Sequence, residues 1–171
     1  DEHGETTYEY YLGVNRLKSQ TERGVTISYT YDAVGNVVTK AISGVGTMTY
    51  GYDNNNIVIA VTDFDNAATT YEYDKVGKIT KLIYPNKIAT IYAYDPVMYD
   101  IVNIKYINTL TNATVDQIAY VNDPATKMIM QRTDWSGPTK YAYDNTNQLT
   151  QATYPDLSYE QFTYDKAGNR I

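Results

Sequence analysis

The sequence contains no cysteine, one histidine and one tryptophan. Without cysteine there is no disulfide framework, no thiolate nucleophile and no Cys-based zinc site. The histidine, His3, lies in the polar segment 1–7, which reads as frayed. A Ser-His-Asp triad needs a rigidly held base, so that chemistry is disfavoured. Lys and Arg number 14 against 20 Asp and Glu, a net charge of −6. That balance argues against a nucleic-acid partner, for which a basic surface is expected. No run is long and apolar enough to span a bilayer, no signal-peptide pattern precedes Tyr8, and no amphipathic helical period appears. Phenylalanine is scarce too, at 2 residues, whereas tyrosine supplies 20 of the 171.

The tyrosines are not scattered. Tyr-x-Tyr-Asp recurs at Tyr29-Thr30-Tyr31-Asp32, Tyr50-Gly51-Tyr52-Asp53, Tyr71-Glu72-Tyr73-Asp74, Tyr92-Ala93-Tyr94-Asp95 and Tyr141-Ala142-Tyr143-Asp144. Phe162-Thr163-Tyr164-Asp165 is a close variant, and Tyr8-Glu9-Tyr10-Tyr11 and Ile118-Ala119-Tyr120-Val121 are degenerate copies. The first residues of successive copies stand 21 apart four times, then 26, 23 and 21. A fixed period of this length means one small unit stacked many times.

Tyr at i and i+2 places both rings on one face of an extended strand. The Asp then opens a turn, in which its side chain accepts backbone N–H bonds. Three residues further on stand Gly35, Asn56, Gly77, Asn147 and Gly168, the residue types that best tolerate positive φ. Each copy therefore reads as one β-hairpin. Return strands such as Val37–Ile42, Val58–Val61 and Ile79–Tyr84 are rich in β-branched residues, but their two faces are not cleanly separated. Distal turns include Tyr84-Pro85-Asn86-Lys87 and Tyr154-Pro155-Asp156-Leu157, where Pro followed by Asn or Asp is turn chemistry. The expected architecture is all-β: eight hairpin repeats over residues 8–171, about sixteen strands. Residues 96–138 are the irregular part, where a repeat array grafts individual function. The last hairpin ends at Ile171 within its return strand and reads as truncated from something longer.

Tyr-x-Tyr-Asp-x-x-Gly-Asn, with Tyr-Pro-Asp or Tyr-Pro-Asn about ten residues after the Asp, resembles the YD repeat; Tyr29–Val37, Tyr71–Asn86, Tyr141–Asp156 and Phe162–Arg170 match best. That repeat defines the rearrangement-hotspot (RHS) family, which includes bacterial polymorphic toxins, wall-associated proteins, insecticidal toxin-complex subunits and animal teneurins. The resemblance implies hairpins joined edge to edge in a continuous antiparallel sheet that curls or spirals into a hollow shell, which in toxin members encloses a C-terminal effector. It also implies a secreted or cell-surface location in a bacterium. The family's self-cleaving segment carries an Asp-Pro-x-Gly signature. Asp123-Pro124-Ala125-Thr126 lacks its Gly and lies inside a repeat, so self-cleavage is not carried over.

The remaining candidates divide between chemistry and architecture. In-register stacking would set Asp32, Asp53 and Asp74 roughly 10 Å apart, too far to share a calcium ion. A catalytic carboxylate pair should be unique, and this spacing repeats, so the turn-capping role is preferred. Asp63-Phe64-Asp65-Asn66 begins like a calcium loop but lacks the following Gly and terminal Glu. Tyr29, Tyr31, Tyr50, Tyr52, Tyr71, Tyr73, Tyr92, Tyr94, Tyr141, Tyr143 and Tyr164 read as a packed ladder rather than sugar platforms. The structural set is completed by Asp32, Gly35, Asp53, Asp74, Gly77, Asp95, Asp144, Asp165 and Gly168. Trp135, beside Ser136-Gly137-Pro138, is the candidate ligand contact, although its bulk favours a core anchor. The expected function is a non-catalytic structural segment of a shell or surface scaffold, without cofactor or metal. Its partners would be neighbouring repeats or a second sheet edge. The alternative is a carbohydrate-binding adhesive module.

Overall fold

In the computed structural model, residues 5–171 are described. Their regular structure is entirely β. The first strands are β1 (Thr6–Tyr10), β2 (Leu17–Glu22), β3 (Val25–Tyr31), β4 (Val37–Ile42) and β5 (Gly46–Tyr52). They are followed by β6 (Val58–Thr62), β7 (Ala68–Tyr73), β8 (Ile79–Ile83), β9 (Ile88–Tyr94) and β10 (Ile101–Asn108). The chain closes with β11 (Thr114–Asn122), β12 (Ile129–Asp134), β13 (Gly137–Tyr143), β14 (Leu149–Thr153) and β15 (Tyr159–Gln161). The order in the 15-stranded sheet is the order in sequence. Instead of sixteen strands there are fifteen and an isolated bridge, Tyr164 to Arg170, that closes the last hairpin.

Two compact units divide the chain. One comprises residues to Tyr73 with Leu82–Asn86; the other comprises Asp74–Lys81 and Lys87–Ile171. In the first, β1 to β7 form an antiparallel meander with partners such as Thr30↔Thr39 and Gly51↔Ala60. In the second, β9 to β15 do the same, with Ile104↔Tyr92, Ala119↔Thr133 and Ala142↔Gln151. Of the segment 1–7 expected to be frayed, Thr6 and Thr7 belong to β1, and residues 1–4 lie outside the described residues. Thr6 and Thr7 pair with Glu22 and Thr21, because β-branched residues next to Tyr8 extend the strand; His3 lies outside the described residues.

In the five Tyr-x-Tyr-Asp copies both rings are half-buried, while the residue between them is exposed in Thr30, Glu72, Ala93 and Ala142; Tyr8 and Tyr10 of the first, degenerate copy are exposed. The period-two reading of the outgoing strands therefore holds. The return strands hide a second feature. Thr30 pairs with Thr39 but Tyr31 pairs with Val37, so Val38 is an extra residue. Ile59, Val102, Thr150 and Lys18 are skipped in the same way opposite the same point of the phrase. Met130 is skipped opposite Val121 and Asn122, so the degenerate copy read at Ile118–Val121 is in the structure Tyr120-Val121-Asn122-Asp123, two residues later, with Asp123 capping its turn. A β-bulge at the second residue of these six return strands switches which face the following residues occupy. That is why the sequence of these strands shows no clean alternation.

Little is fully buried. Ala89, Thr90, Thr139 and Ala152 meet that description among the described residues, all in the second unit. The half-buried tyrosine rings of the Tyr-x-Tyr-Asp phrases supply much of the apolar cover on the strands that carry them.

Candidate functional site

The turn after each phrase is built by its aspartate. Asp32 Oδ1 accepts from the backbone N–H groups of Val34 at 3.0 Å, Gly35 at 2.7 Å and Asn36 at 2.9 Å. Its Oδ2 accepts from Asn36 Nδ2 at 2.8 Å, and the same amide donates to Asn56 Oδ1 of the next turn at 2.8 Å. Asp53, Asp74, Asp144 and Asp165 each accept from the N–H groups two and four residues on. Asp63 does likewise, with Asp65 and Ala67 as donors at 2.9 Å each, so the calcium-like stretch is a capped turn.

Two turns in the irregular region are longer by one residue. Asp95 N–H bonds to Asp100 C=O and Asp123 N–H to Met128 C=O, both at 2.8 Å. Their carboxylates accept from Val97 and Met98, and from Ala125 and Thr126. In these turns Tyr99 and Lys127 take positive φ, at 59° and 60°. Asp123-Pro124-Ala125-Thr126 is thus a capped turn.

The second tyrosine of the phrase reaches across to the preceding hairpin. Tyr52 donates its hydroxyl to Val37 C=O at 2.9 Å, and Tyr73 donates to Val58 C=O at 2.7 Å. Tyr31 does so to Leu17, Tyr94 to Ile79, Tyr143 to Ile129 and Tyr164 to Leu149. Leu17, Val37, Val58, Ile129 and Leu149 each stand just before a bulged residue, where the ladder is interrupted and a carbonyl needs another donor. Sequence reading assigned these rings to packing and missed the hydroxyl's partner. The signal was present: the second aromatic is Tyr in all six copies that carry the Asp, while Phe162 stands at the first position of one.

The electrostatics follow the bonding. Burial pushes the Asp32 carboxyl up, but bonds from Asn36, Gly35 and Val34 outweigh it and leave it below the usual range. The Met98 and Val97 amides hold Asp95 down, those of Thr126 and Ala125 hold Asp123, and Gln148 with Thr146 holds Asp144. The Asn169 side chain leads the same effect at Asp165. Burial raises Tyr52, Tyr73, Tyr94 and Tyr143, assisted at Tyr52 by Asp32 and at Tyr94 by Asp74. Two cations missed in the sequence brace the rings: Arg16 stands 5.6 Å from the Tyr31 ring and Lys78 4.7 Å from that of Tyr94.

Trp135 is not a core anchor. It is 89% exposed, in the tight turn between β12 and β13. Gln117, Ala119, Thr133 and Asp134 line a shallow hollow beside it. Asp134 is itself committed, to Arg132 Nη1 at 2.7 Å and to the Ser136 N–H at 2.9 Å. Among the described residues, no three His, Cys, Asp or Glu side chains group as metal ligands, and no helix is long and apolar enough to cross a membrane.

Capped hairpins of one period, clasped to one another by a repeated tyrosine, define a YD-repeat protein. The family model that matches is the Teneurin YD-shell, over residues 5–101, and the chain belongs to that family, within the wider RHS/YD-repeat group. No curated protein matches the sequence. Among solved structures, the Tc holotoxin pore of Photorhabdus luminescens is similar over 100% of this chain, with a TM-score of 0.78 and 17% identity. The crystal structures of TcdB2-TccC3 and of TcdB2-TccC3-Cdc42 are similar over the same share, at 0.77 and 0.78. At that identity the likeness is one of fold, and this chain spans 11% of the length of each.

Proposed function

We propose that this chain is a non-catalytic, structural segment of a YD-repeat shell or surface scaffold. In its parent protein it would serve toxin encapsulation or cell-surface interaction, at a secreted or cell-surface location. The observation that carries this reading is the tyrosine clasp, in which six phrase tyrosines each bond the backbone of the hairpin before. The aspartates that could have been catalytic are spent on their own turns. The terminal strands β1 and β15 each have one neighbour in the sheet, so their outer edges suit further repeats or a second sheet edge.

Limited proteolysis of the parent polypeptide, with and without this segment, tests the shell role. Protection of an enclosed portion that disappears on deletion supports it. Equal cleavage in both contradicts it.

A second reading, a glycan-binding adhesive module, is favoured by the exposure of Trp135 beside Gln117 and Thr133. An exposed indole offers a flat apolar face to a sugar ring. Glycan-array binding that is lost in Trp135→Ala would support it, and binding that survives the substitution would remove Trp135 from it.

A further inference from the structure

In the irregular part of the sheet one clasp is made without a ring. The phrase Tyr120-Val121-Asn122-Asp123 sets Asn122 where the regular phrases set their second tyrosine. Asn122 faces Ile129 across the bulge at Met130, as Tyr52 faces Val58 across the bulge at Ile59. Its side-chain amide donates to Ile101 C=O at 3.4 Å. Ile101 stands just before the bulged Val102, as Val37 stands before Val38, so this is the clasp bond made by a shorter side chain. The six tyrosine clasps measure 2.7–2.9 Å. A carbonyl oxygen has two lone pairs, and one long bond leaves Ile101 C=O able to accept another.

Beside Asn122 lies a hollow whose walls include Ile101, Ile104, Tyr120 and Ile129. By register these are the positions that Val37, Lys40, Tyr50 and Val58 hold around Tyr52. The exposure of the walls records the missing ring. Leu17, Val37, Val58, Ile79 and Leu149 each open a return strand between two tyrosine phrases, and all are half-buried. Ile101 and Ile129 open the two return strands that adjoin Asn122, and they are 36% and 40% exposed. Apolar surface left open at one place of a repeating array is surface that a partner can cover.

The array itself shows what fits that place. In six repeats it is a phenol, whose ring covers apolar neighbours while its hydroxyl serves a bulge carbonyl. Cations attend two of those rings, Arg16 at 5.6 Å from Tyr31 and Lys78 at 4.7 Å from Tyr94, and Lys127 lines the hollow beside Asn122. Asp100 at the same rim is 3.8 Å from the Lys127 ammonium, so a neutral group suits the pair better than an ion of either sign.

We infer that this hollow is a docking site for the phenol ring of a tyrosine side chain carried by a partner polypeptide. The hydroxyl donates to Ile101 C=O, and the ring lies on Ile101, Ile104 and Ile129 with Lys127 beside it. The site requires neither the shell reading nor Trp135.

Two-dimensional NMR of the isotope-labelled chain, titrated with N-acetyltyrosinamide and separately with N-acetylphenylalaninamide, tests it. The expected result is saturable shifts with the tyrosine probe at the amides of Ile101, Ile104, Asn122 and Ile129, at a Kd on the order of several millimolar. The phenylalanine probe, which lacks the donor, should bind roughly threefold more weakly or worse. Asn122→Tyr should abolish the shifts, because the chain's own ring then fills the hollow, and should raise the melting temperature. Ile101→Thr, a substitution that suits a strand, should weaken binding by removing apolar wall. Cross-peaks of the first unit report that each variant is folded. The proposal is overturned if the tyrosine probe gives no saturable shifts, if the shifts centre on Trp135, if both probes bind equally, or if binding persists unchanged in folded Asn122→Tyr and Ile101→Thr.

Discussion

Tyr52 donates its phenolic hydroxyl to the backbone carbonyl of Val37, 15 residues earlier and one hairpin back, at 2.9 Å. Val37 is the residue that faces Tyr31, the tyrosine at the same place in the preceding phrase. At Leu17, Val37, Val58, Ile129 and Leu149 the repeat thus opens its ladder with a bulge, and the tyrosine of the next repeat supplies the donor that the opened carbonyl needs. Coupling of this kind links nearest neighbours, and a linear array of repeats depends on it for cooperative folding.

Asp74 is expected to be structural. Its Oδ1 accepts from the N–H groups of Val76 and Lys78 at 2.9 Å each, so Asp74→Ala should cost about 1 kcal/mol, as loss of a capping side chain does. Chemical denaturation measures this. A loss of any binding activity at unchanged stability would contradict the role.

Gly137 is held at φ +116°, and a Cβ there would stand 3.0 Å from Pro155 Cβ in the neighbouring distal turn. The backbone conformation alone costs an L-residue about 1–2 kcal/mol, and the rigid proline ring cannot swing aside. Gly137→Ala should therefore lower the melting temperature more than Gly77→Ala, whose Cβ would meet nothing within 4 Å.

Acid should destabilise the fold. Asp32, Asp95, Asp123, Asp144 and Asp165 are held below their ordinary values in the folded chain. Their contribution is present above the unfolded carboxyl value, near 4, and is lost as pH falls through the lower folded values. Melting temperature measured downward from pH 5 should decline in that window. Asp32→Asn and Asp95→Asn should flatten the decline.

At the alkaline end the sign is reversed. Tyr52, Tyr73, Tyr94 and Tyr143 are raised, so their neutral hydroxyls contribute below the unfolded value, near 10, and the contribution disappears as pH rises through the folded values. Melting followed alongside phenolate absorbance should show stability falling above about pH 10.

The hairpin period, the capped turns and the all-β class were legible because each rests on local chemistry. Tyr29 and Tyr31 share a face by period two, and Asp32 with Gly35 writes its own turn. The bulges were not legible, because Val38 and Ile59 are ordinary strand residues whose displacement is set by the register of the neighbouring strand. Nor was the exposure of Trp135, which its place in the tight β12–β13 turn sets against the residue's own preference for burial. Asp100 and Asn122 stand 22 residues apart in sequence and share a hollow because two hairpins carry longer turns. The invariance of tyrosine at the second phrase position was the unread clue to the clasp.

The measurement that tests the clasp most directly compares Phe at the two positions of one phrase. Tyr50→Phe removes a hydroxyl whose described partner is Met48 Sδ at 3.9 Å, a weak contact. Tyr52→Phe removes the bond to Val37 C=O and leaves that carbonyl without its donor. Urea denaturation should give a loss of about 1 kcal/mol for Tyr52→Phe and near zero for Tyr50→Phe, with Tyr73→Phe behaving like the former. Equal, negligible losses at all three positions would contradict the account, because the tyrosines would then be packing rings and nothing more.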